Sequence, residues 1–590
     1  MLSAFLTMPN EYLASILVSL VVFKKCGGAN RSVYAIMVAA NGETKMSKVA
    51  HYLQEHLLGE VSISPDARRH FSTDNSIFSI TPSIIVYPRN EHDVRKTARF
   101  AWQLAERGRI IPITARGAGT DFSGGSLGQG IILAFPAHMN RIVVLDQKTG
   151  SVVVEPGLNY GRLQQTLHTH ERFLPPYPSS LEYSTLGGAV GNNAAGEKSV
   201  KYGPTSTYTR SLRVVLSNGE VIETRRLSKR ELNKKLGLST FEGEVYRQLD
   251  TLIEENRQTL DRLDLNIARN TAGYNLNTVK HSDGSFDLTP LFVGSQGTLG
   301  IISEITLDTE PFNPETVLFT AAFETYEAAT EAILALRKLT LMPSTIEMVD
   351  RTLLKIVDSL NPNQLRTSVK KPYPRVMLLV EFDDSTERIR RKSAKKTKEI
   401  FEKLAISFEQ TTDKSEQDRM WKIRHASANL LSHSEQQNKA IPAIEDAIVP
   451  VDRLPELFEK VQQLSTAVHQ PIAMWGHAGE GNVHLHPYFD LSKLGDKQTM
   501  FKLWQEYYST VKELGGSTSA SYNDGRIRSA YLANLYGEEV VDIFRKIKKI
   551  FDPYAIMNPG VKIDASLETL KPNIRGHYSL EHLYNHMPRS

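Results

Sequence analysis

From Ser79 to Pro311 the apolar residues fall in short runs separated by turn-forming residues, the pattern of short strands. Runs at 83–88, 131–135, 142–146, 151–155, 212–216 and 220–224 read as strands. A further strand at 108–113 is expected to feed the glycine-rich stretch behind it. Residues 147–150 join two of these runs as a hairpin turn. Asn218-Gly219 joins two others, a strong hairpin signal because both residues accept positive φ. A helical pattern occupies 91–108 behind Asn90, whose side chain suits an N-cap. Beyond residue 311 the rhythm changes. Helical patterns at 325–339, 386–404 and 452–468 alternate with strands such as 375–382, which predicts an antiparallel sheet flanked by helices. The chain reads as α+β, with an N-terminal extension at 1–45, domains at 46–310 and 311–562, and a polar, peripheral tail at 563–590.

Three glycine clusters interrupt this pattern, at 115–125, 187–196 and 294–300. Glycine lets a ligand approach the backbone closely, and successive exposed N–H groups form a nest for an anion such as a pyrophosphate. A Rossmann site fails on spacing. Gly-x-Gly occurs at 117/119, 128/130 and 479/481, but Phe122, Leu133 and His484 stand where the third glycine belongs. Each loop alone could be ordinary turn chemistry; three beside apolar strands point to a long ligand held through backbone contacts.

Composition narrows the classes. The chain has 590 residues, 41% hydrophobic and 23% charged, more than one core can use, since single cores stop growing at about 250–300 residues. A net charge of +4 makes no case for nucleic acid, and the basic clusters at 388–396 and 546–549 read as solvated helix faces. Contact of one of them with a membrane surface is the alternative. The single cysteine, Cys26, excludes an intrachain disulfide, a cysteine-ligated iron–sulfur cluster and c-type haem attachment, so electrons handled here leave to an outside acceptor. That usage fits a reducing, cytoplasmic compartment. The apolar run at 12–23 is shorter than the about 20 residues that span a bilayer, so it reads as an extension first and a membrane anchor second. Met1 and Met46 both offer a start.

The densest chemical cluster is 475–487, where His484 and His486 alternate on one strand face and the glycines can fold His477 back toward them. Imidazoles so placed can ligate a divalent metal or be satisfied by hydrogen bonds. Arg424 offers the fork that suits a carboxylate, although alone it reads as a surface helix residue.

Together these motifs resemble the flavoproteins of vanillyl-alcohol oxidase type (PCMH-type FAD domain), in their D-lactate dehydrogenase (cytochrome)/glycolate oxidase branch, over about 78–562. The resemblance implies a two-part FAD-binding domain followed by a substrate-binding cap domain. It implies that Arg116, Gly117, Ala118, Gly119, Thr120, Ser123, Gly124 and Gly125 wrap the FAD pyrophosphate. Pro178, Ser179, Gly187, Gly188, Gly191, Asn192, Asn193, Ala195, Gly196, Tyr202 and Gly203 would line the flavin. Gly297, Thr298, Gly300, Ile301 and Ile302 would close the domain, and Asn558 belongs to the closing signature at 551–560. Gln296 stands where relatives carry Glu.

In metal-dependent relatives, positions like His477 and His484 bind the metal, and a Glu-His pair completes the site. Here Ser521 and Tyr522 replace that pair. The divalent metal is thereby left open, and the base that takes the hydroxyl proton falls to His484, His486 or Tyr522. The reading is an FAD-dependent dehydrogenase of a D-2-hydroxy acid, D-lactate or glycolate, with Arg424 on the substrate carboxylate and a cytochrome, quinone or oxygen as acceptor. Two alternatives stand beside it: an oxidoreductase of this fold acting on another alcohol or an amine, and an FAD-binding protein without turnover.

Overall fold

The computed structural model describes residues 46–425, 427 and 439–584. The chain divides into two units at His56/Leu57. In the first, residues 46–56 form a helix, while the apolar run at 12–23 and Cys26 lie outside the described residues. The second unit carries every element below.

Its first sheet contains β1 (Glu60–Ser62), β2 (Ile84–Tyr87), β3 (Ile113–Arg116) and β4 (Ile131–Ala134), in the order β1-β2-β4-β3. β2 and β3 both run parallel to β4, and Ile84, Ile85, Val86 and Ile131 to Ala134 are all buried, as for parallel strands covered on both faces. The strand expected at 108–113 begins only at Ile113. Pro112 has no N–H to donate and Ile110 is exposed, so before Ile113 only the Pro112 carbonyl joins β4, accepting the Ile131 N–H at 2.8 Å. The helix Glu91–Glu106 starts as read, with the Asn90 side chain accepting the Asp93 N–H at 3.2 Å.

The second sheet is antiparallel: β5 (Ile142–Asp146), β6 (Ser151–Val154), β8 (Thr209–Val215), β9 (Val221–Thr224) and β10 (Ile301–Asp308), in the order β5-β6-β10-β8-β9. Both expected hairpins form, and Gly219 turns the second at φ +84°. A ribbon of β7 (Arg172–Phe173) and β11 (Glu310–Pro311) follows.

The third sheet is antiparallel throughout, as expected. It holds β12 (Val317–Phe323), β13 (Thr345–Asp350), β14 (Val376–Phe382), β15 (Ser407–Thr411), β16 (Lys439–Ala440), β17 (Ile444–Ile448), β18 (Ile472–His477) and β19 (Asn482–Phe489). The helices Tyr326–Arg337, Glu387–Leu404, Leu454–Val468 and Leu494–Glu513 pack their apolar faces into its core. The chain then returns. The helix Glu538–Phe551 buries Val540, Ile543, Phe544 and Ile547 in the core of the second sheet.

The tail is not peripheral. Leu570, Ile574 and Tyr578 are buried in the core of the third sheet. Tyr578 Oη donates to Asn75 O (2.7 Å), Arg575 Nη2 to Asp74 O (2.7 Å), and His582 Nε2 lies 3.1 Å from Gly119 O. Charged neighbours mask the spacing of those apolar residues.

Candidate active site

The first glycine loop leaves β3 at Gly117 and faces the helix Leu186–Asn192 and the turn around Gly297 across a cavity of about 1140 Å³, mouth included. Among the described residues, the backbone N–H groups of Ala118, Gly119 and Thr120 make no hydrogen bond, which leaves a nest for an anion. A Cβ built on Gly191 would meet nothing within 4 Å, and one on Gly188 only Thr185 Oγ1 at 3.2 Å. Bare backbone thus faces open space, and a helix N-terminus capped by Thr185 borders it. These residues fit an extended dinucleotide such as FAD.

Side chains behind the loops hold their shape. Asp121 accepts the Ser123 hydroxyl (2.6 Å) and the Gly125 N–H (2.7 Å). Gln296 donates to Asn192 Oδ1 (2.9 Å) and accepts the Gly525 N–H (2.8 Å). Asn558 Nδ2 ties Gly125 O to Gln296 O, each at 2.8 Å.

One end of the cavity is closed by His477, His484, Ser521 and Tyr522. His477 ends β18 and His484 lies on the adjacent β19, their ring centroids 5.4 Å apart. Each Nδ1 is held by a carboxylate: His477 by Glu347 on β13 (2.7 Å), His484 by Glu445 on β17 (2.8 Å). Neither Nε2 is bonded among the described residues. The other Glu445 oxygen lies 2.5 Å from His486 Nε2. Burial pushes the Glu445 carboxyl up, but the neighbouring His484 and His486 outweigh it and hold it down at about 2. An ionised Glu445 accepting from Nδ1–H leaves His484 Nε2 as the lone-pair nitrogen. Burial, followed by His484, Arg269 and Arg424, pushes His477 well below the usual imidazole range.

Arg424, on the helix Lys414–His425, donates from Nε to Glu347 Oε2 at 2.6 Å. Burial lifts the Glu347 carboxyl and Arg424 opposes it. Arg424 Nη2 makes no hydrogen bond among the described residues, and the residue lines the adjoining groove. Tyr522 sits edge-on to His484 (5.5 Å) and to Phe122 (4.7 Å), and burial pushes its phenol up. Asp446, at φ +73°, accepts the N–H groups of Ala520, Ser521, Tyr522 and Asn523 at 2.6–3.1 Å and so fixes this turn.

These residues do not fit a divalent metal. Ser521 Oγ donates to Asn482 Oδ1 (2.9 Å) and accepts from Arg269 Nη2 (2.8 Å). Arg269 pairs with Glu480. A buried guanidinium therefore stands where a third, negative ligand would be needed. Among the described residues no three His, Cys, Asp or Glu side chains could hold a metal ion.

Most residues expected around the cofactor line the cavity: Arg116 to Thr120, Gly125, Pro178, Ser179, Gly187, Gly188, Gly191, Asn192, Ala195, Gly297, Gly300 and Ile302. The Arg116 guanidinium, however, is turned away, donating to Phe71 O (3.3 Å) and Thr73 O (2.7 Å). Ser123, Gly124, Asn193, Gly196, Gly203, Thr298, Ile301 and Asn558 do not line the cavity, and Asn193 borders a separate one. Tyr202, bonded to Asp383 at 3.1 Å, and His486 line the groove instead. Glu347 and Arg269 escaped sequence reading, as did the individual roles of Glu445 and Asp446 in a strand that resembles one near the active site of relatives. The Ile-Glu-Asp-Ala run at 444–447, acids inside a buried strand, was the available signal.

Residues 82–225 match the family of the FAD binding domain, and residues 313–561 match FAD linked oxidases, C-terminal domain, together well over half of the chain. D-2-hydroxyglutarate dehydrogenase of Escherichia coli (strain K12) is 30% identical over 86% of this chain and 50% of its own length. The chain thus spans about half the length of the D-2-hydroxyglutarate dehydrogenases it matches. Glycolate oxidase subunit GlcD of Bacillus subtilis (strain 168) is 27% identical, covering 81% of this chain and 88% of its own. D-lactate dehydrogenase of Archaeoglobus fulgidus is 26% identical over 81% and 90%. Among solved structures, 4-ethylphenol oxidase from Gulosibacter chungangensis superposes with a TM-score of 0.63 at 15% identity, over 92% of this chain and 99% of that one, a likeness of fold. With both domains matched in order, the chain belongs to the FAD-linked oxidases.

Proposed function

We propose that this protein oxidises a D-2-hydroxy acid, with the carboxylate and α-hydroxyl that D-lactate and glycolate share, to the 2-oxo acid. The observation that carries this reading is a cavity shaped for FAD that ends on an imidazole with a free Nε2, beside a buried arginine. When bound, the flavin supplies an acceptor for the α-hydrogen as hydride at N5.

The remaining chemistry belongs to side chains. Arg424 takes the carboxylate through the nitrogens that Glu347 leaves free. His484 Nε2 accepts the hydroxyl proton, and the Glu445 carboxylate steadies the imidazolium through Nδ1. Tyr522, kept protonated by burial, offers a hydrogen bond and does not take the hydroxyl proton. The two electrons then pass to an external acceptor, a cytochrome, a quinone or oxygen. The base role thereby goes to His484, ahead of His486 and Tyr522.

The test is anaerobic addition of 2-hydroxy acids to the FAD-loaded protein. Bleaching of the visible flavin band by such acids, and not by simple alcohols or amines, supports the assignment. A yellow protein inert to every 2-hydroxy acid overturns it.

A further inference from the structure

Past Thr120, Ser179 and Tyr522 the flavin cavity adjoins a second, larger space of about 2560 Å³, mouth included. Arg424, His486 and Tyr522 line it, so it borders the reaction centre. Among the residues lining it are Phe122, Phe173, Tyr177, Trp421 and Trp475, of which Phe122 and Trp475 stand beside the reaction centre. Trp475 lies edge-on to His486 at 4.6 Å, and Phe122 packs between His486 and Tyr522.

A 2-hydroxy acid has four groups on its reacting carbon. With the carboxylate on Arg424, the hydroxyl at His484 and the α-hydrogen toward the flavin cavity, the side chain points into this groove. A methyl group or a hydrogen would leave the aromatic walls uncovered.

A second carboxylate is no better suited. Five carboxylates line the groove against three fixed cations, Lys198, Lys414 and Arg424. Lys198 is already paired with Glu381 and Asp383. Lys414 lies ten residues before Arg424 on one helix, about 15 Å along its axis at 1.5 Å per residue. Its Nζ is directed at Gln417 Oε1 (3.1 Å) and Thr316 Oγ1 (3.5 Å) instead.

We propose that this groove is the side-chain subsite and that the substrate is a monoanionic 2-hydroxy acid with a bulky apolar side chain, aromatic or branched. The inference rests on the 2-hydroxy-acid reading above.

The test uses the full FAD-loaded chain with 3-phenyllactate, 2-hydroxyisocaproate, lactate, glycolate and 2-hydroxyglutarate. The expected kcat/KM for the first two exceeds that for lactate by at least about tenfold, since one methylene in an apolar pocket is worth about 10–200-fold. Trp421→Ala should bring that ratio toward one. Lactate, glycolate or 2-hydroxyglutarate performing as well as the bulky acids would overturn the subsite while leaving the reaction standing. If no acid bleaches the flavin, the reaction falls, and binding still decides the subsite. Phenylpyruvate perturbing the flavin spectrum at lower concentration than pyruvate supports it, and equal or weaker binding overturns it.

Discussion

Arg424 gives its Nε to Glu347 at 2.6 Å, and the second oxygen of that carboxylate holds His477 at 2.7 Å. One buried acid thus orients both the arginine proposed for the carboxylate and an imidazole at the flavin cavity. Arg424→Ala should remove about 2–5 kcal/mol of substrate binding with flavin content unchanged. It should also cost stability, because Glu347, already pushed up to about 8 by burial, loses the cation that opposes that shift and must take up a proton. Arg424→Met with Glu347→Gln should recover stability but not binding. Urea unfolding and titration with the 2-oxo acid separate the two effects, and unchanged binding in Arg424→Ala removes the assignment.

His484→Gln should slow flavin reduction by about 10²–10⁴-fold, the usual worth of a positioned base, with FAD retained. His486→Gln should cost less, because its ring reaches Glu445 from the groove side. Stopped-flow reduction rates measure both. Equal losses would show that the two imidazoles act only through Glu445.

The Arg269–Ser521 contact bears on metal content. Elemental analysis of the unaltered protein should find no stoichiometric zinc. Ser521→Glu alone should gain little affinity, since the new carboxylate would pair with Arg269. Adding Arg269→Ala should raise zinc affinity clearly above that of the single variant. Tight zinc in the unaltered protein would mean that other groups complete the site.

Asp74 accepts the Ser76 hydroxyl at 2.5 Å and the Ser126 hydroxyl at 2.9 Å under the first glycine loop. Burial, then the nearby Asp121, pushes its carboxyl up to about 6, against Arg116 and Arg575. The folded state therefore favours the protonated form. Its contribution is fully present below the unfolded value near 3.8 and is lost as pH rises through about 6. The change amounts to about 2–3 kcal/mol at 1.36 kcal/mol per unit. Asp74→Asn should flatten the fall in thermal stability between about pH 4 and 6; an identical slope in both proteins would contradict the linkage.

Much of the fold was readable from local pattern. Asn90 capped its helix, Asn218-Gly219 turned its hairpin, and residues of all three glycine clusters line one cavity, in keeping with the single long ligand read from them. What escaped reading was set by tertiary context. The 108–113 strand shifted because Pro112 has no N–H to donate, and the tail was buried because residues 570–578 match a surface formed far away in sequence. The roles of Glu347, Glu445 and Arg269 depend on partners about 40 to 250 positions away, as with Glu445 and His484 or Arg269 and Ser521. The Arg116 side chain, expected at the cofactor, is held by the Phe71 and Thr73 carbonyls, which no local motif announces.

The central claim is that the α-hydrogen of a 2-hydroxy acid passes to FAD in this cavity while His484 takes the hydroxyl proton. Anaerobic stopped-flow mixing of the FAD-loaded protein with saturating, α-deuterated and unlabelled forms of its fastest 2-hydroxy acid tests it most directly. The account predicts bleaching of the flavin band that slows several-fold with deuterium, the isotope effect persisting on the slower background of His484→Gln. Absence of bleaching by every 2-hydroxy acid, or saturating rates equal for both isotopes in both proteins, would contradict it.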